Sequence, residues 1–401
     1  MSRLKNKNIL VAVTAGIAAY KVAILVRLLV KQEAQVKVIM TPDARSFVTP
    51  LTLSTLSKNS VEWKFFSENG DWNNHVEFAL WADYMIIAPC TANTLSAMAN
   101  GTCNNLVLAT YLSAKCPVII APAMDLDMYQ HPTTKSNLEI LEKNNVHIIP
   151  SESGELASGL VGEGRMAEPE HIVDFLDKLI EKDLPLFGKH VLISAGPTYE
   201  NIDPVRFIGN YSSGKMGYSL AEASYLLGAK VTLVSGPSAE KVSHKEITVQ
   251  KITSAQDMYT AMHNNFLEAD ITIMAAAVAD YRPKEIAEQK IKKDDDTMII
   301  ELVKNPDILK SLGEIKTPDQ ILVGFALETN NEIAFAEKKL KKKNLDFIVL
   351  NSMRDKEAGF QKDTNKITIL DRNGKQKSFE TKSKKEVAFD ILSYLITQKL
   401  S

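Results

Sequence analysis

Twice along this chain a short apolar run ends in a turn of small residues and gives way to a helix-length segment. Lys7-Asn8-Ile9-Leu10-Val11-Ala12-Val13-Thr14-Ala15-Gly16 opens the sequence, and Gly188-Lys189-His190-Val191-Leu192-Ile193-Ser194-Ala195-Gly196 repeats the pattern in the second half. A strand that is apolar throughout, with no polar residue at every second position, has to be covered on both faces. More runs of this kind follow. They are Gln35 to Met40, Tyr84 to Ala88 and Val118 to Ala121, then Lys230 to Val234, Ile271 to Ala276, Leu322 to Ala326 and Phe347 to Leu350.

Buried strands alternating with helical segments predict an α/β protein with parallel sheets. The duplicated opening predicts two doubly wound, Rossmann-like three-layer domains with mainly parallel sheets, the first of them flavodoxin-like. A length of 401 residues suits two or three domains. The segment Asp183-Leu184-Pro185-Leu186-Phe187-Gly188 is the predicted boundary, giving domains 1–187 and 188–401. A formal net charge of -2 gives no electrostatic case for nucleic acid or a membrane surface as partner. No run approaches the ~20 apolar residues of a membrane span. Cys90, Cys103 and Cys116 form no CxxC pair and no zinc-ligand spacing, which fits a reducing, cytoplasmic compartment. Ile9 to Val13 follows Lys5 and Lys7 as a signal-peptide core would, but its length and its Thr-Ala-Gly turn read as a strand.

In doubly wound sheets, ligands bind at the carboxyl ends of the strands. In the first half, Gly16-Ile17-Ala18-Ala19-Tyr20 starts a helix directly after the first strand, where free N–H groups can hold an anion. The GxGxxG dinucleotide fingerprint is absent, which favours a mononucleotide. Two further turns, Ala88-Pro89-Cys90-Thr91-Ala92-Asn93-Thr94 and Ala121-Pro122-Ala123-Met124-Asp125, follow buried strands. His75 lies near a predicted helix start and titrates in the range useful to a base. Gly154 to Glu168 and Pro283 to Thr297 are predicted to be mobile loops.

His75, the Pro89-to-Thr94 turn, Pro122-Ala123-Met124 and Gly154-to-Met166 resemble the flavin-containing cysteine decarboxylases. The resemblance implies FMN held by Gly16, Ile17, Ala18, Thr41, Thr91, Ala92, Asn93, Thr94 and Ala123, with His75 as base. It implies a reaction in which the cysteine thiol is oxidised, carbon dioxide leaves, and the product is reduced by the same flavin. Two residues depart from the family pattern. Asp125 stands where an asparagine usually contacts the substrate, and Ser158 stands where a cysteine usually donates a proton.

In the second half, Tyr211-Ser212-Ser213-Gly214-Lys215-Met216-Gly217 offers hydroxyls, N–H groups and a cation before a helix, which suits phosphate. Ala275-Ala276-Ala277-Val278-Ala279-Asp280 ends a buried strand with small residues that admit a flat ligand. Asp280 reads either as an acceptor for a base or ribose or as a helix N-cap. Asn305-Pro306-Asp307-Ile308 reads as a capped helix start, and Lys339 and Lys343, four apart, share one helix face.

Together with Ile202 to Asn210 and Gly324 to Thr329, these motifs resemble phosphopantothenate–cysteine ligase over nearly all of residues 188–395. The resemblance implies that CTP activates the carboxylate of 4′-phosphopantothenate as an acyl-cytidylate, which cysteine then attacks. It implies that Asn210 assists the second step, with Arg206 in the same substrate loop. Ala275, Asp280, Lys290, Asn305, Pro306, Asp307, Ile308, Phe325, Lys339 and Lys343 would form the CTP site. Mg²⁺ would ride on the triphosphate. The resemblance further implies a homo-oligomer, a dodecamer, with flavin sites at subunit contacts. Two alternatives stand beside this bifunctional reading: a ligase whose front half is inactive or altered in specificity, and a flavoprotein that serves as a binding or regulatory module.

Overall fold

A computed structural model describes residues 2–66, 70–292, 298–328, 332–352 and 363–399. The chain divides into two compact units, Met1–Glu181 and Lys182–Ser401.

The first unit is built on strands β1 (Asn8–Val13), β2 (Gln35–Met40), β3 (Val61–Glu62), β4 (Tyr84–Cys90), β5 (Val118–Pro122) and β6 (His147–Ile148). They form one parallel sheet in the order β3-β2-β1-β4-β5-β6. β1 lies at the centre, with Ile9 opposite Val36 on one side and Tyr84 on the other. Every residue of β4 and β5 is buried, which accounts for their unbroken apolar sequences. Alternate residues face opposite layers. Ile9, Val11 and Val13 pack in one core, and Leu10 and Ala12 pack in the other. Each buried Val, Leu or Ile contributes about 1.5–3 kcal/mol.

Side chains fix the helix starts. Thr49, Asn74, Thr91 and Asn105 each accept a hydrogen bond from an N–H of the first turn. Segment 154–168, expected to be a mobile loop, instead contains most of an antiparallel hairpin. β7 (Glu152–Glu155) pairs with β8 (Val161–Arg165), so the backbone groups of its two arms bond to each other.

The second unit has a mixed sheet. β9 (His190–Ala195) is followed by a small antiparallel pair, β10 (Tyr199–Asn201) and β11 (Phe207–Gly209). Then come β12 (Lys230–Ser235), β13 (Thr248–Lys251) and β14 (Ile271–Met274). A second small pair, β15 (Tyr281–Pro283) and β16 (Leu302–Lys304), precedes β17 (Ile321–Glu328) and β18 (Phe347–Ser352). The order β13-β12-β9-β14-β17-β18 is parallel throughout. Two antiparallel strands, Ile367–Asp371 and Gln376–Ser378, extend it beyond β18. The expected mobile segment 283–297 begins inside β15, and its residues 293–297 lie outside the described residues. Among the described residues, no helix is long and apolar enough to cross a membrane.

Candidate functional sites

In both sheets the chain leaves the central strand first to one side and later to the other. The order reverses between β1 and β4 in the first unit and between β9 and β14 in the second. A crevice opens at such a reversal, beyond the carboxyl ends of the strands.

In the first unit the crevice is a cavity of about 640 Å³. The turn after β1 supplies Gly16, Ile17 and Ala18; the turn after β4 supplies Thr91, Ala92 and Asn93; the turn after β5 supplies Ala123, Met124 and Asp125. Thr14 ties the first two turns together. Its Oγ1 donates to the Pro89 carbonyl at 2.6 Å and accepts from the Thr91 N–H at 3.3 Å. Gly16 lets the two turns approach closely: a Cβ there would sit 3.2 Å from the Thr91 methyl, tighter than ordinary packing. No side chain caps the short helical turn Ile17–Lys21. Thr41, just past β2, buries an Oγ1 that has no partner among the described residues. Thr41 does not line the cavity; the uncapped turn and the cavity itself fit a phosphorylated flat cofactor.

The hairpin β7–β8 closes this cavity with Glu155, Leu156, Ala157, Gly164, Arg165 and Met166. Met124 donates its N–H to the Gly164 carbonyl at 3.0 Å. Lys21 is buried in the wall, donating to the Met166 carbonyl at 3.0 Å and to Glu168 at 2.7 Å. Sequence reasoning did not single out Lys21. Its signal was a lysine in the first helical turn after the Gly16 turn.

Not every expected residue converges here. Ser158 lies exposed at the hairpin tip, where its Oγ accepts from the Leu160 N–H at 3.4 Å. Thr94 is buried one turn into its helix, its N–H taken by the Thr91 cap. His75 begins a helix capped by Asn74, its ring edge-on to Phe65 and Trp72, and does not line the cavity. Its Nδ1 is buried without a partner among the described residues.

In the second unit, Gly196 and Gly236 let two turns touch, and a Cβ on Gly236 would lie 1.7 Å from the Pro197 carbonyl oxygen. The small-residue stretch after β14 is held by the turn after β9. Ala277 donates its N–H to Gly196, and Ala279 donates to the Thr198 hydroxyl. Asn210 reaches the same stretch, its Nδ2 donating to the carbonyls of Ala277 at 3.1 Å and Val278 at 3.3 Å. Gly214, at φ +84°, starts the helix Lys215–Leu226, and Lys215 pairs with Asp363 at 2.6 Å.

Beyond β14 and β17 lies a cavity of about 450 Å³ that gathers Asp280, Asn305, Pro306, Asp307, Ile308, Phe325, Lys339 and Lys343. Asp280 is not a helix N-cap, because β15 follows it directly. Asp307 is one: its Oδ1 accepts from the Lys310 N–H at 3.1 Å and from the Lys343 ammonium at 2.8 Å. Burial pushes the Asp307 carboxyl up, but Lys343 and the Lys310 N–H outweigh it and hold the group below its ordinary range. Lys339 donates to the Phe325 carbonyl at 3.1 Å. Lys304, Tyr281 and Ala279 also line the cavity. The pairing of β15 with β16 brings in Tyr281 and Lys304, and Ala279 lies directly beside Asp280.

Ala275, Lys290, Arg206 and Asn210 do not line this cavity. Lys290 is exposed. The Arg206 guanidinium is committed to the buried Asp203 carboxylate and to the Ile291 carbonyl at 3.0 Å. Asp203 also accepts N–H bonds from Val205, Arg206 and Ile291. Arg206 first, against burial, and then these N–H groups hold the Asp203 carboxyl far below its usual range. A carboxyl depressed in the fold stabilises it at pH values above its unfolded pKa of ~3.9, and that contribution drains as pH falls through and below this range. In an NMR acid titration, Asp203 of the wild-type chain should stay ionised below the ordinary carboxylate range. Arg206→Met should move its midpoint up towards ~3.9. An unchanged midpoint would show that Arg206 does not set this carboxyl.

Two α/β units, each with a ligand crevice where the strand order reverses, define a pair of Rossmann-type ligand-binding domains joined in one chain. Residues 186–398 match the family described as DNA/pantothenate metabolism flavoprotein C-terminal domain, and residues 1–181 match the family described as flavoprotein. A cysteine/cysteine sulfinic acid decarboxylase from an unknown prokaryotic organism is 53% identical over 355 residues, covering 87% of this chain and 99% of the relative. The coenzyme A biosynthesis bifunctional protein CoaBC of Bacillus subtilis (strain 168) is 46% identical over 392 residues, covering 97% of this chain and 96% of the relative. A crystal structure of the C-terminal domain of a CoaBC protein shares 43% identity at a TM-score of 0.46, covering 54% of this chain and 97% of that one. The chain therefore belongs to the family of the bifunctional CoaBC proteins of coenzyme A biosynthesis, with a flavoprotein front half.

Proposed function

We infer that this chain carries both reactions of its family. The second unit joins cysteine to 4′-phosphopantothenate, and the first decarboxylates the resulting 4′-phosphopantothenoylcysteine to 4′-phosphopantetheine. The observation that carries the reading is that one chain, matching CoaBC along nearly its whole length, has a crevice in each sheet.

In the second unit, the cavity around Asp280, Phe325, Lys339 and Lys343 is read as the CTP site. Its two lysines offer charge to a triphosphate, and Asp280 offers an acceptor to the base or ribose. Asn210 is bonded to the small-residue loop whose Val278 lines this cavity, and its proposed role is in the second step. Catalysis by such a site is mostly positioning and charge neutralisation. Among the described residues there is no cluster of three His, Cys, Asp or Glu side chains. Mg²⁺ is assigned to the triphosphate oxygens, as is usual for this ion. Asn210→Asp is expected to slow amide formation more than ~100-fold while leaving pyrophosphate release measurable, because a carboxylate cannot donate as the Asn210 amide does and would repel the oxyanion that develops when cysteine attacks the acyl-cytidylate. Rapid-quench assays separate the two steps. Equal loss of both would remove Asn210 from the second step.

In the first unit, FMN would be held by the turns at Gly16 to Ala18 and Thr91 to Asn93, with Thr41 and Ala123. When bound it would supply a two-electron oxidation of the substrate thiol and return the electrons after carbon dioxide leaves. The chain's own part is to seat the substrate under the β7–β8 hairpin and exclude water from it. His75 lies away from the cavity of its own chain, so its proposed role as base requires a site completed by another copy. A second reading draws on the 53%-identical relative, named for free cysteine and cysteine sulfinic acid. On that reading the first unit also accepts such amino acids directly.

A further inference from the structure

We infer that Asp125 is the specificity-determining residue of the first cavity, and that it recognises the ammonium group of a free cysteine. This rests on reading that cavity as the flavin-dependent decarboxylation site.

Asp125 lies between β5 and the short helix Leu126–Gln130, half-buried in the cavity wall. It occupies the N-cap position, yet its side chain caps nothing. Among the described residues, no cation or N–H group is found bonded to its carboxylate. The two cations in the same wall both face Glu168. Lys21 is bonded to Glu168 and the Met166 carbonyl, and Arg165 lies 3.6 Å from Glu168.

The loop that carries Asp125 is fastened. The Met124 N–H bonds to Gly164, and the Gly164 Cα packs so closely that a Cβ would stand 2.3 Å from the Met124 carbonyl oxygen. The carboxylate is thus an unpaired acceptor held in place, with Met124, Met128, Leu156 and Met166 around the same cavity. Its complement is a compact cation with several donors.

In 4′-phosphopantothenoylcysteine the cysteine nitrogen is an amide. It carries no charge and a single N–H, while the carboxylate on Cα is common to this substrate and to free cysteine. Free cysteine presents an ammonium with three N–H donors, and a charge-assisted bond is roughly twice as strong as a neutral one. Cysteine is also the amine consumed by the second unit. The overall step is redox-neutral. The bond from Cα to the carboxyl carbon breaks, carbon dioxide leaves, and Cα takes up a proton. The two electrons withdrawn from the thiol by the flavin are returned, giving 2-aminoethanethiol.

The test uses the full flavin-loaded chain. The flavin absorbance is titrated with two unreactive ligands, S-methylcysteine and N-acetyl-S-methylcysteine, in the wild type, Asp125→Asn and Asp125→Glu. Carbon dioxide release from cysteine and from 4′-phosphopantothenoylcysteine is measured alongside. The ratio of affinities, free amine over N-acyl, should fall roughly tenfold or more in Asp125→Asn and largely survive in Asp125→Glu. The ratio of kcat/KM values should move the same way. A ratio unmoved by Asp125→Asn overturns the inference while leaving the flavin reading intact. Protein that takes up no flavin at all overturns that reading, and this inference with it.

Discussion

Asp346→Ala is expected to cost the second unit about 3–5 kcal/mol of unfolding free energy and to lower its Tm by roughly 10 °C. Asp346 is 3% exposed, just before β18. Its Oδ2 accepts from the buried Lys316 ammonium at 2.7 Å and from the Leu322 N–H at 2.9 Å. Arg372 and Lys399 stand 3.7 and 3.5 Å from its Oδ1. Truncation leaves an ammonium in the interior, an N–H without its acceptor, and three cations with no anion between them. Burial already pulls the Lys316 pKa down, and the nearby cations reinforce this against the pull of Asp346. Without the carboxylate, nothing opposes that downward shift. Thermal unfolding followed by calorimetry measures the change. A loss below about 1 kcal/mol, the worth of a surface pair, would show that this cluster is solvated in solution.

Gly164→Val is expected to empty the first site. Gly164 has φ +143°, a region that a β-branched residue enters only with strain, and its Cβ would overlap the Met124 carbonyl oxygen. Strain and overlap together amount to about 3 kcal/mol or more. The chain relieves them by parting β8 from the turn that carries Met124 and Asp125. Because that contact joins the hairpin to the cavity floor, flavin affinity should fall more than ~100-fold, on the scale of 1.4 kcal/mol per tenfold. Nucleotide-dependent pyrophosphate release by the second unit is the internal control and should persist. Retention of flavin at wild-type affinity would show that the hairpin does not close the site.

The frame of this protein could be read from local sequence. β1 and β9 are apolar on both faces because both faces are covered, and that pattern needs no knowledge of distant residues. The Asn305-to-Ile308 turn and the Lys339–Lys343 spacing are equally local, and they converge on one cavity. The hairpin β7–β8 was not legible as strands. Its arms, Glu-Ser-Gly-Glu and Val-Gly-Glu-Gly-Arg, carry glycine and charge in place of an apolar alternation, and the contact of Gly164 with Met124 exists only in the fold. Arg206 could not be told from a free cation, since its charge is consumed by Asp203 and Ile291 through contacts that exist only in the fold. Lys21 was hidden for the opposite reason. A lysine in a first helical turn is ordinarily solvated, and here Met166 and Glu168 arrive from more than a hundred residues away to bury it.

The central claim is that the two units act in sequence, so its most direct test follows one atom through both. Cysteine labelled at the carboxyl carbon is given to the flavin-loaded protein, and labelled carbon dioxide is measured with and without 4′-phosphopantothenate and CTP. Adding that pair should raise the rate of label release and generate one pyrophosphate for each additional carbon dioxide. Label release that is indifferent to the pair, with no pyrophosphate formed, would contradict the account.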